Sequence, residues 1–347
     1  SMRRLRLTLA ITVVALVGAA CGAASSTPDE VVLVTHGSFL VSEGVLEAFA
    51  EEAGVPVTVL QSADAGTMVN QAILTKDNPI ADVLYGIDNT FLSRAIAEDL
   101  FLPYQATNIA AAPEPLRVAG NQVTPIDFGD VCVNLDPAGL AERGLAVPER
   151  LADLADPAYR GLFVVEDPST SSPGLAFLLA TISVFGEEGE YPWQAYWGDL
   201  VANDVQIVPG WDQAYYGDFS GGSGEGERPI VVSYATSPVA EVYYSDLDAA
   251  PTSIIEDGCF RQVEYAGILR GTEAESTAQQ LVDFLLARTF QEDIPLNMFV
   301  FPANEDAVLP DVFVEYATVP ANPVTMDPAA IEENRDRWLA EWATIVR

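Results

Sequence analysis

The chain has 347 residues, of which 51 are acidic and 16 basic, giving a net charge of −35 at pH 7. That balance excludes nucleic acid as a partner, because phosphates need basic patches. It suits either a cationic ligand or simply a well-solvated surface, and the length suffices for two domains with full cores.

Residues 1–20 have the three zones of an export signal: Arg3, Arg4 and Arg6, then an apolar run from Leu7 to Val17, then the small residues Gly18, Ala19 and Ala20. Small residues immediately before Cys21 resemble a bacterial lipobox. That resemblance implies cleavage before Cys21, lipidation of its thiol and anchorage to the outer face of the cell membrane. A simple signal cut that leaves Cys21 free is the alternative. Residues 21–30 read as a short tether. No later apolar run is long and uncharged enough to span a bilayer.

Beyond the tether, "EVVLVTHGSF" predicts a strand ending in a polar turn, and "SEGVLEAFAEEAG" a helix capped by Ser42 and stopped by Gly54. The strand "VPVTVLQS", the helix "GTMVNQAILTK", the strand "ADVLYGID" and the helix "NTFLSRAIAEDL" follow. Strands alternating with helices predict a parallel α/β sheet, with ligands met by the loops 35–39, 62–66 and 86–89 at the carboxyl ends of the strands. A second α/β unit follows "VTPIDFGDVCVNLD". It has a helical pattern in "ERLADLADPAY", strands in "GLFVVED", "VQIVPGW" and "RPIVVSYATSP", and a helix from Ser171 or Ser172 onward. "FRQVEYAGILRG" predicts a strand returning to the first unit, and "ESTAQQLVDFLLARTFQED" one long amphipathic helix. Two α/β lobes joined by two extended crossings form a clamshell. Residues 219–229, "FSGGSGEGERP", have linker composition and read as a mobile surface hairpin.

With Cys21 assigned to lipid, Cys132 and Cys259 remain, either bridged in an oxidising compartment or left as two buried thiols. Trp338 and Trp342, four residues apart on the last helix, read as core anchors. There is no GxSxG, HExxH or Walker motif, and a single histidine cannot supply a metal cluster. No metal or cofactor is expected.

The junction "VVEDPSTSSPGLAFLLATI" places Thr170, Ser171 and Ser172 between a strand and a helix start. Capping accounts for some of these hydroxyls, and Pro173 fits the first turn. A helix start at a strand end is also suited to an anion or polar group, so ligand contact is expected there.

The blocks "ADVLYGIDN", "DPSTSSPGLAFLL", "PGWDQAYYGDF", "VVSYATSPVAEV" and "IPLNMFVFPAN", with the closing "DPAAIEENRDRWLAEW", resemble the thiamine-binding periplasmic proteins, the substrate-binding components of bacterial ABC importers. The resemblance implies a two-lobed type II periplasmic-binding-protein fold of class α/β with two hinge crossings. Its expected parts are lobe 1 over 31–126 and 263–301, lobe 2 over 127–262, and a C-terminal helical segment over 302–347 packing across the lobes. It further implies a monomer, not an enzyme, that holds thiamine or its mono- or diphosphate between the lobes and delivers it to a membrane permease. Carried over by position, the cleft residues are His36, Asp64, Ser171, Trp211 and Tyr234, with Thr170, Ser172, Tyr215 and Phe299 beside them. Ala240 stands where the family has an aromatic, and Phe299 where it has a tryptophan. A permanent thiazolium charge needs aromatic faces or carboxylates, which Trp211 and Tyr234 supply, while Asp64 can read the aminopyrimidine. Two alternatives remain: a ferric-iron-binding protein of the same fold, using Tyr215–Tyr216, Tyr243–Tyr244 and His36, and a secreted glycosidase using two carboxylates.

Overall fold

The computed structural model describes residues 28–245 and 247–347. The predicted export signal, Cys21 and residues 22–27 of the predicted tether lie outside the described residues. The first unit opens with β1 (Val31–Thr35), whose side chains are nearly all buried. α1 (Val45–Ala53) starts two residues later than the Ser42 cap predicted. Gly44 precedes it at φ 92°, and Ser42 instead donates its backbone N–H to Asp293. The predicted stop holds: Gly54 ends α1 in the left-handed region and donates its amide to the Ala50 carbonyl. β2 (Val57–Gln61), α2 (Ala65–Leu74), β3 (Val83–Asp88) and α3 (Leu92–Ala97) follow, and β1 pairs in parallel with both β2 and β3.

A two-residue strand, β4 (Phe101–Leu102), leads to the long β5 (Thr124–Leu135), which enters the second unit. That unit comprises α4 (Pro137–Glu142), β6 (Phe163–Glu166), α5 (Ser172–Phe185), α6 (Trp193–Ala202), β7 (Gln206–Val208), β8 (Ile230–Tyr234) and α7 (Ser237–Tyr244). β6 pairs in parallel with β7 and β8. The helix expected over "ERLADLADPAY" is instead two 3₁₀ turns, Leu151–Ala155 and Pro157–Tyr159. Pro157 has no N–H to continue a helix and crowds the turn before it.

β9 (Ser253–Leu269) then returns through the whole molecule. It lies antiparallel to β5 from Leu135↔Ser253 to Thr124↔Ala266, pairs with β3 at one end, and leaves β8 to pair with the other end of β5. The strand order is β2-β1-β3-β9-β5-β8-β6-β7. The predicted parallel sheet is therefore correct for each flank and wrong at the centre, because the two crossings run in opposite directions. Cys132 on β5 and Cys259 on β9 form a disulfide between these crossings.

The remaining elements are α8 (Glu275–Leu285), α9 (Arg288–Gln291), α10 (Ile294–Met298), β10 (Phe301–Pro302), α11 (Asp311–Tyr316) and α12 (Pro328–Val346). The single helix expected over 275–293 breaks at Leu286–Ala287. There Asn304 donates to the Leu286 carbonyl and Gln291 to the Leu285 carbonyl, satisfying groups that a continuous helix would have paired internally. Trp338 and Trp342 are buried as expected. The Trp342 ring meets Trp197 of α6 edge-on at 5.6 Å, and α12 also touches α3 of the first unit.

Candidate ligand cleft

The loops at the carboxyl ends of the flanking strands meet across a cavity of about 540 Å³, within the range of small-molecule sites. From the first unit come His36, Phe39 and Asp64. From the second come Ser172, Trp211, Tyr215 and Tyr234, and Phe299 also lines the cavity. Of the predicted residues, Thr170 and Ser171 alone do not line the cavity. Of the three predicted loops, 86–89 does not reach it either: Asp88 is fully buried beneath, capping the next turn through Thr90 and Phe91.

Trp211 lies at the start of a π-helical turn, Gln213–Asp218, a local irregularity common at functional sites. Its ring stacks on Tyr215 at 5.1 Å and 14°, and Tyr216 stands perpendicular beside the pair. The indole Nε1 donates to Ser233 at 2.8 Å, which fixes the ring. Tyr215 is buried, and its hydroxyl donates to Glu241 Oε1 at 2.7 Å. Ser223 donates to the same oxygen at 2.8 Å, and Oε2 takes no hydrogen bond among the described residues. Ser223 belongs to the segment expected to be a mobile hairpin. That segment is bonded to its surroundings as well as within itself, Glu225 donating to the Tyr216 carbonyl and the Arg228 guanidinium to the Gly161 carbonyl. A Cβ at Gly226 would fall 2.1 Å from the Asp218 carbonyl carbon, so its glycine serves close packing rather than flexibility.

Phe299 holds φ 53°, an unusual conformation for an aromatic residue. The Thr236 hydroxyl donates to its carbonyl, and its ring sits 5.5 Å from Tyr244. Ala240 and Tyr244 both line the cavity, one turn apart on α7. An aromatic therefore returns at the mouth although Ala240 supplies none.

His36 packs against Gly86, where a Cβ would come 2.3 Å from the imidazole ring. Its Nε2 lies 3.4 Å from Glu264 Oε2. Burial alone would lower the imidazole pKa, but Glu264, helped by Asp64 and Asp127, outweighs it and pushes His36 up to about 9. His36 is thus a cation already paired. Behind it the Tyr85 hydroxyl donates to Asp127, whose carboxyl is held well above its ordinary value by burial and then by Glu264.

Asp64, which lines the cavity as expected, also has partners within the protein. It caps α2, accepting its neighbour's Ala65 amide at 2.7 Å, and reaches into the second unit. There Oδ1 accepts from the Ser172 amide at 3.3 Å and Oδ2 from the Trp211 amide at 3.0 Å. Burial pushes its carboxyl up, while the amides of Trp211 and Ala65 and the His36 charge pull the other way. The hydroxyl-rich junction thus makes contacts between the two units, and Ser172 lines the cavity as well. Ser171 is a buried cap accepting from Gly174, and Thr170 donates to the Pro209 carbonyl at 2.7 Å while its own carbonyl accepts from Thr67 of the first unit. Ser38 adds a further bond across the cleft, donating to Asp212 at 3.2 Å.

Glu241 and Glu264 were not singled out in the sequence. Glu264 carried a usable signal, a charge inside the apolar strand "FRQVEYAGIL"; Glu241, one acid among 51, carried little. The cavity wall holds the carboxylates of Asp64, Asp212, Glu241 and Glu264, and no lysine or arginine lines it among the described residues.

A family profile for bacterial extracellular solute-binding proteins matches residues 78–321. The chain belongs to that family. This solute-binding protein is 29% identical over 350 residues to the thiamine-binding periplasmic protein of Brucella abortus biovar 1 (strain 9-941), covering 98% of each chain. It is 28% identical over 320 residues to the thiamine-binding periplasmic protein of Escherichia coli (strain K12), covering 90% of this chain and 92% of the other. Among solved structures, a periplasmic thiamin binding protein superposes with TM-score 0.81 and 25% identity over 91% of this chain and 96% of that one. Iron-bound HitA from Pseudomonas aeruginosa superposes with TM-score 0.71 at 18% identity, over 92% of this chain and 99% of that one, a likeness of fold alone. The fold is that of the type II periplasmic binding proteins, and the resemblance drawn from the sequence blocks holds over nearly the whole chain. The relatives are binding proteins, so this is a solute-binding protein rather than an enzyme, and the glycosidase alternative falls away.

Proposed function

We propose that this protein captures thiamine between its lobes and presents it to the permease of an ABC importer. The observation that carries the reading is the composition of the cleft wall: stacked and isolated aromatic rings, four carboxylates, and no lysine or arginine among the described residues. A thiazolium charge cannot be discharged by losing a proton, so it needs such faces and acids. Trp211 and Tyr234 meet the ring cation. Glu241, whose Oε2 takes no other bond among the described residues, accepts from the aminopyrimidine in place of the Asp64 first expected to do so. A lipid on Cys21 would hold the protein at the outer membrane face, beside its permease.

The ferric alternative draws less support. The Tyr215 hydroxyl is committed to Glu241, His36 is paired with Glu264, and the likeness to an iron-bound protein, at 18% identity, is one of fold alone. Native mass spectrometry of freshly purified protein tests the proposal: a co-purified mass equal to thiamine or an ester supports it, and a bound mass of another class refutes it.

A further inference from the structure

We propose that Asp88, Glu264 and Asp127, a row of acids at the floor of the cleft, hold a proton that a cationic ligand expels, so that the cleft exchanges a proton for its cargo. This rests on the thiamine reading above. The sheet register builds the row where the crossings meet the first unit: Glu264 of β9 stands directly opposite Asp88 of β3 on one side and Asp127 of β5 on the other. Partners so placed share a face with their Cβ atoms about 5 Å apart, where like charges destabilise one another. Of the three, Glu264 alone lines the cavity, and Asp88 and Asp127 are buried under it.

Two unpartnered oxygens mark where a proton can sit. Asp88 Oδ1 caps the next turn, accepting from Thr90 and Phe91, whereas its Oδ2 takes no hydrogen bond among the described residues. Asp127 Oδ2 accepts from the Tyr85 hydroxyl, and its Oδ1 is likewise without a partner. A charge left on such an oxygen bears its desolvation cost uncompensated. The surroundings supply one cation for the three acids, His36, which lies beside Glu264 and also feels Asp64 from the α2 cap. Arg261, earlier on β9, is spent on Asp130 at 2.6 Å. Tyr85 of β3, Tyr234 of β8 and Tyr265 of β9 face the row as neutral hydroxyls, pushed up by burial first. Burial foremost, with the Glu264 charge, raises both flanking acids, Asp88 to about 7 and Asp127 well above its ordinary value. A permanent cation in the cavity supplies the missing counter-charge. Asp88, the acid that titrates near neutrality, then passes its proton to solvent and becomes a carboxylate, while the charge of the ligand is unchanged.

The test titrates thiamine by calorimetry at pH 7 in two buffers of different ionisation enthalpy, which counts the protons released, and follows its Kd from pH 6 to pH 8. A group that titrates near 7 is half protonated at pH 7, so the wild type should release about 0.3 to 0.5 proton per thiamine, and Kd should tighten several-fold from pH 6 to pH 8. Asp88→Asn keeps the Oδ1 cap and should lose most of both effects, with circular dichroism to confirm folding. The two wild-type readouts stand if the variant does not fold. Thiamine binding with no proton release and a Kd independent of pH would overturn the proposal while leaving the thiamine reading intact. So would a release that Asp88→Asn leaves unchanged, which would place its source at His36. Failure of the wild type to bind thiamine anywhere in this pH range would instead sink the thiamine reading.

Discussion

Replacing Trp211 by alanine removes one aromatic face from the cleft and leaves its surroundings nearly intact. Its indole N–H donates to Ser233, but that hydroxyl keeps a second partner in Ser237 at 2.8 Å, so no buried polar group is orphaned. Tyr215, stacked behind at 5.1 Å, stays pinned by Glu241. The loss should therefore fall on the ligand. Stacking a desolvated cation on an indole contributes about 1 to 2 kcal/mol, which weakens Kd by about 5- to 30-fold. Trp211→Phe keeps a face, although without the N–H anchor, and should lose less than the alanine. Calorimetry with thiamine gives the magnitude, and the isolated aminopyrimidine half provides the control, since it lacks the thiazolium and should be affected little. A folded Trp211→Ala protein that binds thiamine within twofold of the wild type would refute the aromatic-cation argument.

Stability should fall as pH rises. Burial holds the Asp88 carboxyl up at about 7, so its favourable contribution, complete near pH 4, fades towards pH 7. The paired His36, raised to about 9, contributes fully below about pH 6.5 and is lost as pH rises through 9. Melting temperatures should decline from pH 5 to pH 10, with a shallower upper part in His36→Gln; a flat or rising curve would contradict both assignments. Replacing Cys132 and Cys259 by serine should cost about 2 to 4 kcal/mol in chemical denaturation, and denaturing alkylation of the wild type should label neither residue. Cys21→Ser should release the protein from membranes if the lipid is its anchor, and unchanged retention would refute that anchorage.

What the sequence could disclose depended on whether a residue's partners were local. Trp211 stood out through the resemblance of its block, "PGWDQAYYGDF", and its aromatic partners Tyr215 and Tyr216 lie within that same block. Trp338 and Trp342 were legible from their spacing alone. The junction at 170–172 was not, because a hydroxyl-rich helix start has the same sequence whether it faces a ligand or a carboxylate 108 positions away, as Ser172 faces Asp64. The long β9 shows only its apolar half as a pattern. Its first residues, "SIIEDGCF", are mixed in character and take strand form through pairing with β5. Glycines misled for a similar reason: in 219–229 they permit backbone contact, whereas composition alone suggests freedom. The helix break at Leu286–Ala287 rests on Asn304 and Gln291, partners that periodicity does not reveal.

The central claim is that the cleft binds a thiazolium cation rather than a metal. The most direct measurement is a side-by-side titration of the ligand-stripped protein, with thiamine followed by tryptophan fluorescence and with ferric citrate followed by visible absorbance. The account predicts a saturable one-to-one change with thiamine and no tyrosinate–iron band. A coloured ferric complex, with no response to thiamine from the folded protein, would contradict it.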